Sequence, residues 1–142
     1  MRTQLLRFAW LASTILLPAG CALPHADHVP AQGALGPYSA AVATSHLVFL
    51  SGKIGQRGGT FAEEVKTAID AVEADLVGFD LGLADVLSVN VFVTDMALYP
   101  ELNTIYGERF PKPYPARTTV GVAALPGGAR VEIQAVAARR RR

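Results

Sequence analysis

Apolar positions along this chain change their period several times, and each change marks an element. In residues 60–79, TFAEEVKTAIDAVEADLVGF, they fall at 61, 65, 68, 69, 72, 76 and 79. That spacing is one face of a helix at 3.6 residues per turn. Thr60 with Glu63 predicts its start as a capping box, in which the two residues satisfy N–H groups that the first turn leaves open. Glu63, Lys66, Asp70 and Glu73 occupy the opposite, wet side. In residues 86–95, VLSVNVFVTD, the period drops to two, which is a strand. Leu87, Val89, Val91 and Val93 share a face expected to lie under helices. Ser88, Asn90, Phe92 and Thr94 share a mixed face that something must cover or wet, and oligomerisation is one economical answer.

The remaining elements follow from shorter signals. Gly36-Pro37 is a turn and opens a short strand over 35–42. HLVFLSGKI, 46–54, is rich in β formers and interrupted by Gly52, and QRGG, 56–59, is a turn. A second helix is predicted over 100–109, with Pro100 in the first turn where its missing N–H does no harm. Leu102, Ile105 and Tyr106 form its apolar stripe, with Leu98 beside it. Three prolines exclude regular structure from FPKPYP, 110–115. Strands are predicted at 117–124 and 130–137, joined by LPGG. The order is β-β-α-β-α-β-β: one α/β domain, a sheet with two helices on one face.

The first thirty residues differ from this body. Arg2 and Arg7 precede an apolar stretch, FAWLASTILLPAG, that is too short for an ordinary transmembrane helix. Cys21, the single cysteine, follows. PAGC is similar to a bacterial lipoprotein cleavage site, although Pro18 stands where such sites usually have Leu. The expectation is a signal segment over 1–21 with Cys21 as a candidate lipidation residue. A linker over 22–34, the domain over 35–138 and a basic tail over 139–142 complete it. The protein is then exported, periplasmic or membrane-anchored through Cys21, or cytoplasmic if the segment is not translated. His25 and His28 are spaced as metal ligands could be, but no third ligand is near.

Charge sharpens the picture. The chain has a formal net charge of +1, but its body without the signal segment, linker and tail holds 7 basic and 11 acidic residues, a net of −4. An acidic body argues against a nucleic-acid-binding face. No Gly-rich phosphate loop, HExxH helix or nucleophile elbow is present. The candidate polar residues are Tyr38, Ser51, Asn103, Arg117, Thr119 and Glu132. Arg117 opens a strand after a rigid loop, where a guanidinium is either a solvated edge charge or a bidentate grip on a carboxylate. Glu132 points away from Val131 and Ile133. On a buried face it needs a partner or a raised pKa, and on a wet face it is an ordinary acid. Ser51 has no evident base and acid to activate it, and Thr119 is a natural strand residue.

GPYSAAV, VFLSGKIG, NVFVTDM, LNTIYGERF and PARTTVGVAALPGGARVEIQAVA, in this order over residues 35–138, resemble the RidA/YjgF family of reactive-intermediate deaminases. The resemblance implies a fold similar to the trimeric bacterial chorismate mutases, a homotrimer, and three clefts between subunits. It implies hydrolysis of small 2-enamine or 2-imine acids, such as 2-iminopropanoate, to 2-keto acids and ammonia without a cofactor. It implies that Arg117 holds the substrate carboxylate and that Glu132 helps a water attack or moves protons. It implies that Tyr38, Ser51, Asn103 and Thr119 line the substrate. Thr119 stands where many enzymatic members have cysteine, and the GQRGG loop beside the cleft is shorter than usual. The alternative is a non-catalytic member that binds small carboxylates or a protein partner in the exported compartment.

Overall fold

The computed structural model describes residues 26–33 and 35–139. They form a mixed sheet of seven strands: β1 (Asp27–Pro30), β2 (Ser39–Ala43), β3 (Leu47–Leu50), β4 (Lys53–Ile54), β5 (Val86–Val93), β6 (Ala116–Gly121) and β7 (Val131–Ala138). The order across the sheet is β1-β2-β3-β7-β5-β6, and β4 also pairs with β7. β5 and β6 are parallel, joined through helix α2 (Tyr99–Arg109), and the other pairs are antiparallel. Helix α1 (Phe61–Val77) and α2 cover the same face, so the chain is one α/β domain with a mixed sheet and two helices on one side.

α1 begins as its sequence requires. Glu63 N donates to Thr60 Oγ1 at 3.2 Å, and Thr60 N donates to Glu63 Oε2 at 2.7 Å, which completes the capping box. Those bonds hold the Glu63 carboxyl below its ordinary pKa, chiefly through the Thr60 backbone. Phe61, Val65, Ala68, Ile69, Val72 and Leu76 are buried against the sheet. Each of these side chains except Ala68 contributes roughly 1.5–3 kcal/mol by leaving water. β7 runs through the middle of the sheet and alternates without a break. Val131, Ile133, Ala135 and Ala137 face the helices, and Glu132, Gln134, Val136 and Ala138 face away.

β5 departs from strict alternation in one place. Its pairing with β7 shifts between Val86 and Ser88. Val86 is buried there and Leu87 is 51% exposed, so Leu87 does not join Val89, Val91 and Val93 under the helices as its spacing predicts. A bulge adds one residue to the strand and turns that side chain over. The remaining outward face carries adjacent apolar side chains on neighbouring strands. Val42 pairs with Phe49, Phe49 with Val136, and Phe92 with Val120. Phe49 and Val120 are exposed.

Two further differences concern the ends of the domain. Asp27–Pro30, inside the stretch read as a linker, is strand β1 and pairs with β2. Arg139, the first residue of the basic tail, is tied to it: Arg139 Nη1 lies 3.0 Å from Asp27 Oδ2 and donates to Thr44 O at 2.7 Å. The apolar segment 8–20 and Cys21 lie outside the described residues. The expectation of an exported or membrane-anchored protein is corrected to what the described residues show: none of their helices is long and apolar enough to cross a membrane. Of the segment read as a linker, Asp27–Pro30 belongs to the sheet.

A buried ion pair closes the domain near the start of α1. Glu64 is 1% exposed, one of the residues of α1 turned toward the sheet. It accepts from Arg130 N at 2.6 Å and from Arg130 Nε at 2.8 Å, and Arg130 Nη2 donates to Gly59 O at 2.9 Å. A buried carboxylate that loses its partner is left charged in a poor solvent. Arg130→Ala keeps the backbone N–H bond to Glu64 but removes the guanidinium, and is expected to lower the unfolding free energy by about 2 kcal/mol in urea titration. An unchanged midpoint would show that solvent already compensates Glu64.

Candidate functional site

Two clusters of polar side chains stand on opposite faces of the sheet. The first is built on β6 and α2. Arg117 pairs with Val89 of β5 and so points to the helix-covered side, at the edge of the sheet where α2 leaves room. Its Nη2 donates to Asn103 Oδ1 at 2.6 Å and to Tyr99 Oη at 3.1 Å. Its Cζ lies 4.6 Å from the Tyr106 ring centre and 5.6 Å from that of Tyr99, within the range of cation–π attraction. Arg117 is thus a half-buried, fixed cation and not a solvated edge charge. Among the described residues nothing bonds its Nη1 or Nε, so one edge of the guanidinium is open to a planar anion.

Tyr99, Asn103 and Tyr106 follow one another at i, i+4 and i+7, on one face of α2. That spacing was available in the sequence, but Tyr106 reads there only as part of an apolar stripe, and Tyr99 carries no signal apart from its spacing. Burial pushes the Tyr106 phenol up to about 12, against a smaller downward pull from Arg117. Its hydroxyl and Thr119 Oγ1 are buried and have no hydrogen-bond partner among the described residues. Thr119 lies two residues beyond Arg117 on the same face of β6. Orphaned hydroxyls of this kind mark a place where water, a ligand or another chain completes the bonding.

The second cluster lies on the outward face, around β7 and the β3–β4 bend. Glu132 pairs with Phe92 of β5 and Ile54 of β4. With Tyr38, Ser51, Gly52, Ile54 and Pro126 it lines a hollow of about 280 Å³. Ser51 Oγ donates to Ser39 O at 2.7 Å, which fixes the hydroxyl on the backbone of β2 and leaves its lone pairs toward the hollow. Tyr38 is 48% exposed at the rim. Gly52 has a specific steric role. A Cβ there would lie 2.7 Å from Glu132 Cδ and closer still to Oε1, so only glycine leaves the carboxylate its position. The sequence shows Gly52 as a strand interruption but not the residue it makes way for.

The structure therefore brings Tyr38, Ser51 and Glu132 together, and Arg117, Asn103 and Thr119 together. It keeps the two groups apart. Their strands flank β5, and their side chains leave the sheet on opposite sides. Within one copy a small acid held by Arg117 does not meet Glu132.

The chain matches known proteins over nearly all of the described residues. The family described as Endoribonuclease L-PSP matches residues 29–139. A 2-iminobutanoate/2-iminopropanoate deaminase of Dermatophagoides farinae is 38% identical over 109 residues, which is 72% of this chain and 85% of that protein. The human protein of the same description is 37% identical over 114 residues, 75% of this chain and 83% of the relative. Among solved structures, RidA from an Antarctic Psychrobacter superposes with a TM-score of 0.72 at 32% identity, covering 81% of this chain and 97% of the other.

Two measurements test the geometry of the clusters. Gly52→Ala is expected to turn Glu132 out of its hollow in a crystal structure of the variant, at a stability cost of no more than about 1 kcal/mol, because the obstructing atoms end a flexible side chain. An unmoved carboxylate would contradict the steric role of Gly52. For Tyr106 the folded state holds its proton more tightly than the unfolded chain. Its contribution to stability is therefore complete below the ordinary phenol pKa near 10 and is lost as pH rises toward about 12. Tyr106→Phe is expected to flatten that part of the stability–pH curve, and an unaltered slope would assign it to other groups.

Proposed function

Since the chain belongs to the RidA/YjgF family, we propose that it hydrolyses small 2-imino acids and their enamine tautomers to 2-keto acids and ammonia, at clefts shared between copies. The observation that carries this reading is the separation of Arg117 from Glu132. Each cluster is half of a site: a fixed cation with an open edge on one face, a carboxylate in a hollow on the other. A second copy that presents its Arg117 to the Glu132 hollow of the first makes both halves complete. Such a contact joins two different surfaces, so it is head-to-tail and repeats until a ring closes. The apolar outward face with Phe49, Val136 and Phe92 supplies the surface to bury. Three copies, arranged as in the chorismate mutase-like fold that the family resembles, is the ring we propose.

The chemistry follows from the residues. A protonated imine is already an electrophile, so positioning and charge placement carry most of the burden. Arg117 holds the substrate carboxylate through its open edge, with Asn103 and Tyr99 fixing the guanidinium. Tyr38 and Ser51 line the opposite wall. Glu132 takes a proton from a water as its oxygen bonds to C2, and the C=N electron pair passes to nitrogen. Glu132 then returns the proton to nitrogen. The C–N bond breaks, ammonia leaves, and the hydroxyl on C2 loses its proton to become the keto oxygen. Nothing is oxidised or reduced, so the reaction asks for no cofactor. The ribonuclease wording of the family description fits this chain less well, because a body of net charge −4 repels a polyanion.

The test generates 2-aminoacrylate in situ and lets semicarbazide compete for its imine. The wild-type chain is expected to reduce trapping and speed pyruvate formation, and Arg117→Ala and Glu132→Gln each to abolish the effect while keeping the oligomer. Refolding the two variants together then regenerates about a quarter of the sites, because one cleft in four draws both halves from intact copies. Regained activity supports a shared cleft, and none refutes it. Saturable carboxylate binding by the wild type with no turnover would favour the binding-only alternative.

A further inference from the structure

The Glu132 hollow does not end at Tyr38 and Ile54. Leu35, Tyr38, Gly52 and Ile54 also line a second hollow of about 560 Å³, which continues from the first along the β4 side of the domain. Its walls include Lys53, Arg57 and Asp75. The charges there do not balance. Lys53 Nζ pairs with Asp75 Oδ2, which neutralises both. Arg57 takes part in no ion pair among the described residues and is bonded only to a backbone oxygen, Gly127 O. Glu63, on the neighbouring turn, spends its Oε2 on Thr60 N and Oγ1.

The bond to Gly127 fixes where this cation stands. Pro126, one residue earlier, lines the Glu132 hollow. Arg57 therefore reaches from the loop before α1 to the turn before β7, as part of the wall of the second hollow. The backbone at Gly127 has φ +62°, and a Cβ there would lie 2.8 Å from Arg57 Nη1. The turn is thus shaped to let the guanidinium approach. The GQRGG loop that carries Arg57 also passes close to α1 at Gly55, where a Cβ would meet Glu64 Cγ at 2.8 Å, so the loop's path is held from both sides.

We propose that Arg57 selects substrates: the second hollow takes the side chain of a 2-imino acid whose far end carries a carboxylate. This rests on the deaminase reading and deepens it. The α-carboxylate goes to Arg117 of the neighbouring copy and C2 lies at Glu132. The chain beyond C2 runs past Tyr38 and Ile54, and its terminal carboxylate meets Arg57. The substrate class is the imines of dicarboxylic amino acids. Oxidation of such an amino acid at its α-carbon, with loss of two hydrogens, is one class of reaction that supplies them.

The experiment compares two imines with the full-length chain. Flavin oxidases acting on D-alanine and D-glutamate release 2-iminopropanoate and 2-iminoglutarate, and semicarbazide again competes. The measured quantity is the ratio of kcat/KM for 2-iminoglutarate to that for 2-iminopropanoate. Arg57→Gln is expected to lower this ratio about tenfold, the worth of one charge-assisted hydrogen bond, and Arg57→Lys to restore part of it. A ratio that does not fall in Arg57→Gln overturns the proposal and leaves the deaminase reading intact. Calorimetry with 2-ketoglutarate and pyruvate reads the same site without turnover. If the wild type hydrolyses neither imine, the deaminase reading fails. Weaker binding of 2-ketoglutarate alone in Arg57→Gln then still upholds the distal carboxylate site, and equal binding refutes it.

Discussion

Everything in this domain depends on β7 keeping strict alternation at the centre of the sheet. It pairs with β3, β4 and β5, so its register sets theirs. A slip of one residue would exchange Ile133 for Glu132 under α1 and drive a carboxylate into the core. Two devices pin it. One is the apolar contact of Val131, Ile133, Ala135 and Ala137 with the helices. The other is Arg130, immediately before the strand, whose backbone and side chain both bond Glu64 of α1. The second is directional where the first is not, and it fixes which residue is the first to enter the sheet.

The same alternation explains why the candidate site is divided. Glu132 must leave on the outward face because its neighbours are needed inside. Arg117 is on the helix side because its partner across the ladder is Val89. It is tolerated there only at the sheet edge, where α2 offers Asn103 and two tyrosine rings in place of water. A guanidinium keeps its charge in such a setting because it is weakly hydrated and its planar faces stack.

Much of this was legible in the sequence because it depends on local patterns. α1 announces itself by period and capping box, and α2 by Pro100 with Leu102, Ile105 and Tyr106. The opposition of Glu132 to Val131 and Ile133 is a matter of parity. What was not legible depends on pairing over distance. Glu64 reads as one more acid of a charged helix until Arg130, 66 positions later, arrives beside it. Asp27–Pro30 has the composition of a linker and is a strand only because β2 offers it an edge. Leu87 fits the alternating pattern and is turned outward by a bulge that β7 imposes. Which side of the sheet would meet another chain, and so how Arg117 and Glu132 would come to serve one substrate in the proposed cleft, is not written in any single stretch of residues.

On the proposed reading, placing the two halves of a cleft on opposite faces has a consequence for how the activity would behave in a cell. With the cleft shared as proposed, a newly made, unassembled chain would hold every reactive group and yet be inert, because no copy could act on a substrate by itself. Turnover is then governed by mass action among chains, and specific activity falls on dilution although no molecule unfolds. It also follows that damage is shared unevenly. In a closed ring each chain serves two clefts, so a copy with lesions in both halves silences two, whereas a single lesion silences one. Only copies damaged in both halves would depress output by more than their own number.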